Sequence, residues 1–284
     1  NYQAAMRRLL VTCAAAGAGG LAAFFLISLF LSRIAVAPVR KAWLQQRQFV
    51  ADASHELKTP ITVILADARI LASHPSDTVQ SQRKWIESVQ EEGERMKRLV
   101  EDMLFLARTD AAGGEPEKTW LSFSDLALNS LLPFESIAFE KGLTLEEDIA
   151  CGLYLYGNEK QLAQLVGILL DNACKYTGTG GMIFLSLHQN QDRIFLTVQN
   201  SGEPIPKEAL PHLFERFYRV DQARSRASGG YGLGLSIAQS IVKHHGGKIR
   251  AESSEEKGNR FTVEFPAATR KRVLKKEKSE IERK

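Results

Sequence analysis

Apolar residues follow three different rhythms along the chain. Leu9 to Ser32 is a run of 24 residues without a charge, bracketed by Arg7, Arg8 and Arg33. At 1.5 Å per residue it predicts a helix of roughly 36 Å, enough to cross a hydrocarbon core of about 30 Å with some tilt. A secretory leader would carry a shorter apolar region ending in a small-residue cleavage site, so residues 9–32 read as a transmembrane helix. Small residues crowd Ala14–Gly20, which lets two such helices approach closely but is common in membrane spans generally. After a short helical joint at residues 33–44, apolar positions recur in steps of three and four through Trp43, Val50, Ala53, Leu57, Ile61, Ile64, Ala68 and Leu71. That is the stripe of a bundle helix, and it predicts one from Val39 to about Ser73. His74-Pro75-Ser76-Asp77 breaks the pattern. A second helix is expected from about Val79 to Thr109, with Ile86, Val89, Met96, Val100, Met103 and Ala107 on one side. Two antiparallel helices with one stripe each cannot bury those stripes alone. Residues 45–110 therefore predict a hairpin that pairs with a second copy as a four-helix bundle.

The third rhythm begins after a Gly/Pro-containing linker, residues 111–118. Strand-like runs occur at Leu143–Ile149, Leu153–Tyr156, Gly181–Gln189, Arg193–Gln199, Lys248–Ser253 and Arg260–Phe265. Helical stretches alternate with them at Phe123–Lys141, Glu159–Tyr176, Lys207–Leu213 and Leu233–His245. Strands gathered on one sheet with helices over one face predict an α+β sandwich spanning residues 119–268. The fold class is thus multidomain, α followed by α+β, behind one membrane span.

Charge changes the picture only at the C-terminus. The formal net charge is +4, but Arg270–Lys284 alone holds eight Lys/Arg against three Glu. The remaining 29 basic and 30 acidic residues nearly cancel, so the basic balance belongs to the tail, residues 269–284. No basic stripe interleaved with aromatics occurs, and composition gives no support to nucleic-acid binding. The tail has two readings, a solvated charged segment or a contact with anionic membrane lipid. Cys13, Cys151 and Cys174 lack any CxxC or Cys/His spacing, which argues against a disulfide framework or a zinc site and fits a reducing cytosol. Positive charge flanks both ends of the span; Arg40 and Lys41, added to Arg33, tilt the charge rule towards a cytoplasmic C-terminal side. The chain opens on Asn1 rather than Met, so a fragment with a sensor segment upstream is expected.

Candidate chemistry concentrates in three places. In Ser54-His55-Glu56-Leu57-Lys58-Thr59-Pro60, His55 lies two residues from both Ala53 and Leu57. At 100° per residue it sits about 200° from the apolar stripe, so a satisfied core histidine is excluded. An ordinary surface histidine is the remaining bland reading, and Pro60 speaks against it. A mid-helix proline loses its bond to the carbonyl of Glu56 and costs about 3 kcal/mol. A neutral imidazole nitrogen can attack phosphorus while a neighbouring carboxylate, here Glu56, takes the ring proton. Thr59, one turn on, could position a water for the reverse, hydrolytic reaction. The second place is Asp171-Asn172-Ala173-Cys174-Lys175-Tyr176 at a helix end. Asn172 offers an amide oxygen to a hard cation such as Mg²⁺, and Lys175 offers charge to a phosphate, although either can be an ordinary surface residue. The third is Gly229-Gly230-Tyr231-Gly232-Leu233-Gly234, ahead of an apolar helix, where backbone N–H groups can close on phosphate. It is neither a dinucleotide fingerprint nor a P-loop, because no strand immediately precedes it and Gly-Lys-Ser/Thr is absent.

In this order, these elements resemble the sensor histidine kinase family over roughly residues 33–268. Phe49–Pro60 resembles that family's H box, which implies His55 as phosphoacceptor, Glu56 as assisting acid/base and Thr59 as a contributor to phosphatase activity. Asn172, Lys175 and Tyr176 resemble the end of the N box, implying Mg²⁺, phosphate and adenine-side contacts respectively. Gln199–Pro206 resembles the G1 box, with Asn200 and Gly202 at its base-binding positions. Leu213–Arg219 resembles the F box, with Phe217 at its centre and either Arg216 or Arg219 touching the phosphate. Gly230, Gly232, Leu233 and Gly234 resemble the G2 box, and Val220–Gly229 would be the lid over ATP. The implied fold of the ATP domain is the Bergerat sandwich, the implied ligands are ATP and Mg²⁺, and the implied partners are a second copy and a response regulator.

Three positions depart from the family pattern. Ile168 stands where many N boxes carry an additional Asn. Asn200 replaces the usual Asp that accepts from the adenine amino group, and Pro204 replaces a glycine. Exchanging a charged acceptor for a neutral one costs about 1 kcal/mol, roughly five- to tenfold in affinity. A full HAMP relay does not fit between Arg33 and the His55 helix. The expected activity is ATP-dependent autophosphorylation of His55 at the cell membrane, followed by transfer to a regulator aspartate. The alternatives are a regulator phosphatase with weak kinase activity and a degenerate kinase acting as a membrane scaffold.

Overall fold

The computed structural model describes residues 2–110, 117–220 and 230–267. The expected lid and tail and most of the linker lie outside them. The chain divides into two compact units, Asn1–Lys58 and Thr59–Lys284.

The first unit belongs to α1 (Tyr2–Ser73), which begins there and continues into the second. Within it Leu10–Arg33 is long and apolar enough to cross a membrane and is exposed throughout its described side chains, as a lipid-facing helix without protein neighbours would be. No break separates this segment from the His55 region, so the expected joint is plain helix.

In the second unit, α1 passes through Pro60 to Ser73, a turn follows, and α2 (Arg83–Asp110) completes the hairpin. Pro60 is buried and the helix continues past it. The buried positions differ in part from the expected stripe. Leu99 and Leu106 are 0% and 1% exposed, whereas Val100 is 41% exposed and Ala107 is also exposed. On α1, Pro60 and Asp67 are buried while Ile61 and Ala68 are exposed. Ala53, Leu57, Ile64 and Leu71 on α1 and Ile86, Val89, Met96 and Met103 on α2 are buried or half-buried as expected. The inward track of the hairpin thus departs by one residue at Ile61, Ala68, Val100 and Ala107 rather than along its length, a detail that an apolar pattern this broad cannot fix by itself.

Beyond the hairpin come β1 (Thr119–Ser122), α3 (Phe123–Glu140), β2 (Thr144–Ile149), β3 (Tyr154–Gly157), α4 (Glu159–Tyr176), β4 (Met182–Asn190) and β5 (Arg193–Asn200). A 3₁₀ turn at Leu210–His212 follows, then α5 (Gly234–His244), β6 (Lys248–Ser254) and β7 (Gly258–Pro266). The main sheet runs β2-β4-β5-β7-β6, with β2 and β4 parallel and the other neighbours antiparallel. β3 does not join it; it pairs with β1 as a separate two-stranded ribbon, so the expected single sheet is two. β1 is too short to give an alternating signal, and the expected helix at Lys207–Leu213 shrinks to the 3₁₀ turn.

Side-chain alternation builds the sandwich. On β5 the inward residues Ile194, Leu196 and Val198 are at most 1% exposed. On β7, Phe261, Val263 and Phe265 form the adjoining row, and Phe123 of α3 meets Phe265 edge-on at 5.8 Å. Leu162, Leu165, Leu169 and Leu170 of α4 and Ile237 and Ile241 of α5 cover that face with 0% exposure. Fully buried leucines of this kind cost about 2–5 kcal/mol when cut to alanine.

Candidate functional site

The His55 region lies on α1. His55 and Thr59 are exposed and Glu56 is half-buried, with Ala53 buried two residues before the histidine. The expectation that His55 faces away from the packed side therefore holds. Locally, Ser54 Oγ donates to the Val50 carbonyl at 2.8 Å and Gln48 donates to Asp52 at 2.8 Å.

The other expected site residues gather around the C-terminal half of α4. Asn158 caps the start of this helix, accepting from Gln161 N–H at 3.0 Å and donating to the Glu117 carbonyl at 3.0 Å. At its far end Asn172 is half-buried, Tyr176 is exposed, and Lys175 pairs with Asp171 at 2.6 Å. Thr177 ends the helix and bridges to Gly202, which ties the loop after β5 to α4. Gly202 is required there: a Cβ would stand 2.4 Å from the Tyr176 carbonyl oxygen and 2.6 Å from Asn200 Nδ2.

Asn200 continues the inward row of Ile194, Leu196 and Val198, so an amide occupies the last core-facing position of β5. It is 3% exposed, and its Nδ2 is buried without a hydrogen-bond partner. Its cross-strand neighbour is Asn259, at the matching position on β7. Asn259 is held at both ends, donating to the Glu203 carbonyl at 3.0 Å and accepting from Ser253 Oγ at 2.6 Å. Ser253 Oγ also accepts from Ile205 N–H at 2.8 Å, so the Gly202–Pro206 loop is stitched to β6 and β7.

The glycine loop reaches the same helix. Gly234 abuts α4, since a Cβ there would stand 3.4 Å from a methyl of Ile168, one turn before Asn172. Phe217 N–H donates to the Gly232 carbonyl at 3.0 Å, joining the Leu213–Arg219 segment to the loop. Gly232 has φ of +74° and Phe217 has φ of +60°, an uncommon conformation for a side-chain-bearing residue and a source of local strain. Among the described residues no atom lies within 4 Å of where a Cβ on Gly230 would stand. Leu233 is buried and gives α5 no side-chain cap, so the first N–H groups of that helix remain available to an anion. Arg219 Nε is buried without a partner.

Several residues important to this geometry escaped the sequence reading. Asn259 and Ser253 fix the loop beside Asn200, and the signal for Asn259 was its inward register with Phe261 and Val263. His245 is 7% exposed; it accepts from Asn158 N–H through Nε2 at 3.0 Å, and its Nδ1 donates to the Ile241 carbonyl at 2.8 Å. Burial holds its pKa below the usual histidine value, so it stays neutral and structural. On α2, burial, aided by Glu101, lifts the Asp102 carboxyl to about 6 against the pull of Arg98 and Lys175. Among the described residues no cluster of three His, Cys, Asp or Glu could hold a metal ion.

Comparison with known proteins follows the same division. Residues 45–112 match the His Kinase A (phospho-acceptor) domain, and residues 157–269 match the Histidine kinase-, DNA gyrase B-, and HSP90-like ATPase family. The sensor histidine kinase RppB of Synechocystis sp. is 35% identical over 237 residues, covering 83% of this chain and 52% of RppB. The chain therefore spans about half the length of this curated relative. Histidine kinase ThkA, solved in complex with response regulator protein TrrA, superposes with TM-score 0.63 at 25% identity over 78% of this chain and 61% of that one. Full-length ShkA in complex with AMPPNP gives TM-score 0.60 at 26% identity over 78% of this chain and 46% of that one. A phospho-acceptor hairpin followed by an ATPase sandwich, both matched in sequence and in fold, are the two domains of a histidine kinase, and the chain belongs with that family.

Proposed function

We propose that the chain is the membrane-anchored catalytic part of a sensor histidine kinase, which transfers the γ-phosphoryl group of ATP to His55 and then to an aspartate of a response regulator. One observation carries this reading: four segments far apart in sequence, at residues 172–176, 200–206, 213–219 and 230–234, meet around the end of α4. The buried, unpartnered polar atoms of Asn200 and Arg219 and the uncapped start of α5 fit a purine nucleotide, with Asn200 towards the base and the α5 terminus towards the phosphates. Tyr176 and Gly202 would flank the base. Arg219, whose Nε lacks a partner, is the better candidate for the phosphate than Arg216.

Asn172 supplies one oxygen of the kind Mg²⁺ accepts, and that ion, when bound, neutralises charge on the phosphates. Lys175 must leave Asp171 to reach a phosphate, a movement that a flexible side chain on an exposed helix end allows. His55 attacks phosphorus through one ring nitrogen, Glu56 takes the proton from the other, and ADP leaves. The work of the protein is positioning and charge stabilisation rather than covalent help.

The surroundings of the hairpin support a homodimer. Ile61, Leu65, Val100 and Leu104 are between 41% and 54% exposed, an apolar surface that a second hairpin would cover. The relative solved with a response regulator supports such a regulator as phosphoryl acceptor. The Leu10–Arg33 segment supports placement in the cell membrane.

The test is incubation of the detergent-solubilised chain with Mg²⁺ and γ-labelled ATP beside His55→Gln. Acid-labile, base-stable label on the wild type alone is the expected result; equal label on both proteins would overturn the assignment of His55. Exposure of Thr59 one helical turn from His55 favours phosphatase activity as a second role of the same surface. Loss of regulator dephosphorylation in Thr59→Ala, with autophosphorylation retained, is the expected signature.

A further inference from the structure

The two buried asparagines at the ends of β5 and β7 are cross-strand neighbours, yet they are held in opposite ways. Asn259 is pinned end for end, because Ser253 Oγ donates to its oxygen and its nitrogen donates to the Glu203 carbonyl. Rotating that amide by 180° would place its oxygen against the Glu203 carbonyl, acceptor against acceptor. Asn200 has no such lock. It is 3% exposed, so it cannot turn to water, and its Nδ2 is buried without any partner. Backbone hems it in at Gly202, which is so close that a Cβ there would stand 2.6 Å from Nδ2. The side chain is therefore confined in place, while no protein donor or acceptor fixes the orientation of its amide at the Nδ2 end.

Such an amide can read two complementary edges. With its oxygen at the open end of the side chain it accepts from a 6-amino group. Turned end for end, it presents Nδ2 there instead and donates to a 6-oxo group. A carboxylate at the same position could only accept, and would face the 6-oxo oxygen with like charge. Resting on the nucleotide-binding reading proposed above, we infer that Asn200 makes the base pocket tolerant of 6-oxopurine nucleotides, the class that includes GTP, as well as of ATP. Turned towards a 6-oxo group, the nitrogen gains the partner it lacks in the free protein.

Displacement of a fluorescent trinitrophenyl-ATP probe from the full chain in detergent micelles, with Mg²⁺ present, tests this. The competitors are ATP and inosine triphosphate, which presents the 6-oxo and N1–H edge without the additional 2-amino group of GTP. The expected result is inosine triphosphate within about tenfold of ATP. Asn200→Asp is expected to widen the gap to about a hundredfold or more, chiefly by weakening inosine triphosphate. Wild-type protein that binds ATP but rejects inosine triphosphate by a hundredfold or more overturns the inference and leaves the nucleotide site standing. An unchanged ratio in a folded Asn200→Asp protein also overturns it, since discrimination would then come from elsewhere. Binding of neither nucleotide nor probe would remove both the inference and the nucleotide-binding reading. The wild-type ratio decides the matter even where the variant does not fold.

Discussion

Gly232 is a position where a single added atom has a large local consequence. Its φ of +74° is one that side chains rarely adopt, and a Cβ would press to 2.7 Å from the Tyr218 carbonyl oxygen. Gly232→Ala is expected to cost about 1–3 kcal/mol locally, displacing Phe217 and Arg219 from the glycine loop. Nucleotide titration should register this as at least a tenfold loss of ATP affinity with the far-ultraviolet spectrum unchanged. His245 offers a residue-scale test of pH dependence. Its ring joins α5 to the start of α4 only when Nε2 is unprotonated and accepting from Asn158. The folded pKa is lowered by burial, so the unfolded chain binds more protons below about 6.5. Stability is thus full above that pH and falls as pH drops through the folded pKa. Urea unfolding should show this decline between pH 7.5 and 5.5. His245→Ala should be less stable by about 1–3 kcal/mol at pH 7.5, because Asn158 N–H is left unpartnered, and should show a flatter pH profile.

Among the elements, α4 organises the candidate site and α2 can modulate it. α4 carries Ile168, Asn172, Lys175 and Tyr176 in successive turns, so one rigid helix sets the spacing between the glycine loop and the side chains of Asn172 and Lys175. α2 packs against α5, and its Asp102 lies within the electrostatic reach of Lys175. The Asp102 carboxyl, raised to about 6 by burial, is favoured in its protonated form when packed. Its contribution is full below the unfolded value near 3.9 and is lost as pH rises through about 6. Asp102→Asn is therefore expected to stabilise the chain at pH 8 by up to about 1 kcal/mol once solvent screening is allowed for, with no gain at pH 4. Thermal unfolding at the two pH values checks this. Element boundaries were largely legible in the sequence: α4 is found at the residues expected, and β4, β5 and α5 within a residue or two. β1 was not, because four residues contain too few alternations, and its pairing with β3 is a contact between segments more than thirty residues apart.

At the scale of the whole molecule, the outstanding feature is apolar surface that the single chain leaves uncovered. Leu104 is 49% exposed on α2 and Leu65 is 54% exposed on α1. Leu104→Glu should scarcely affect folding of one chain, since surface changes usually fall within about 0.5 kcal/mol. It should weaken self-association at least tenfold by sedimentation in detergent; an unchanged association constant would place the dimer seam elsewhere. Leu10–Arg33 belongs to the same scale: removal of residues 1–33 should move the protein from a carbonate-washed membrane pellet to the supernatant.

The sequence by itself determined the length of the apolar N-terminal helix segment, the exposure of His55 opposite its packed neighbours, and the α+β alternation of the sandwich. Each of these rests on local period: 24 uncharged residues, 100° per residue on a helix, and alternate residues on a strand. Only the tertiary structure decided which side of each broad apolar stripe is innermost, with Leu99 and Leu106 displacing Val100 and Ala107. Packing partners settle that choice, and they lie elsewhere in the chain. The same holds for the two asparagines. Sequence placed an amide at the last core-facing position of β5, but only the fold set Asn259 beside it with both polar side-chain atoms engaged and left Asn200 Nδ2 without a partner. Hydrogen-bond satisfaction in a buried site depends on groups brought together from β5, β6, β7 and the loop at Gly202, and no local period encodes that meeting.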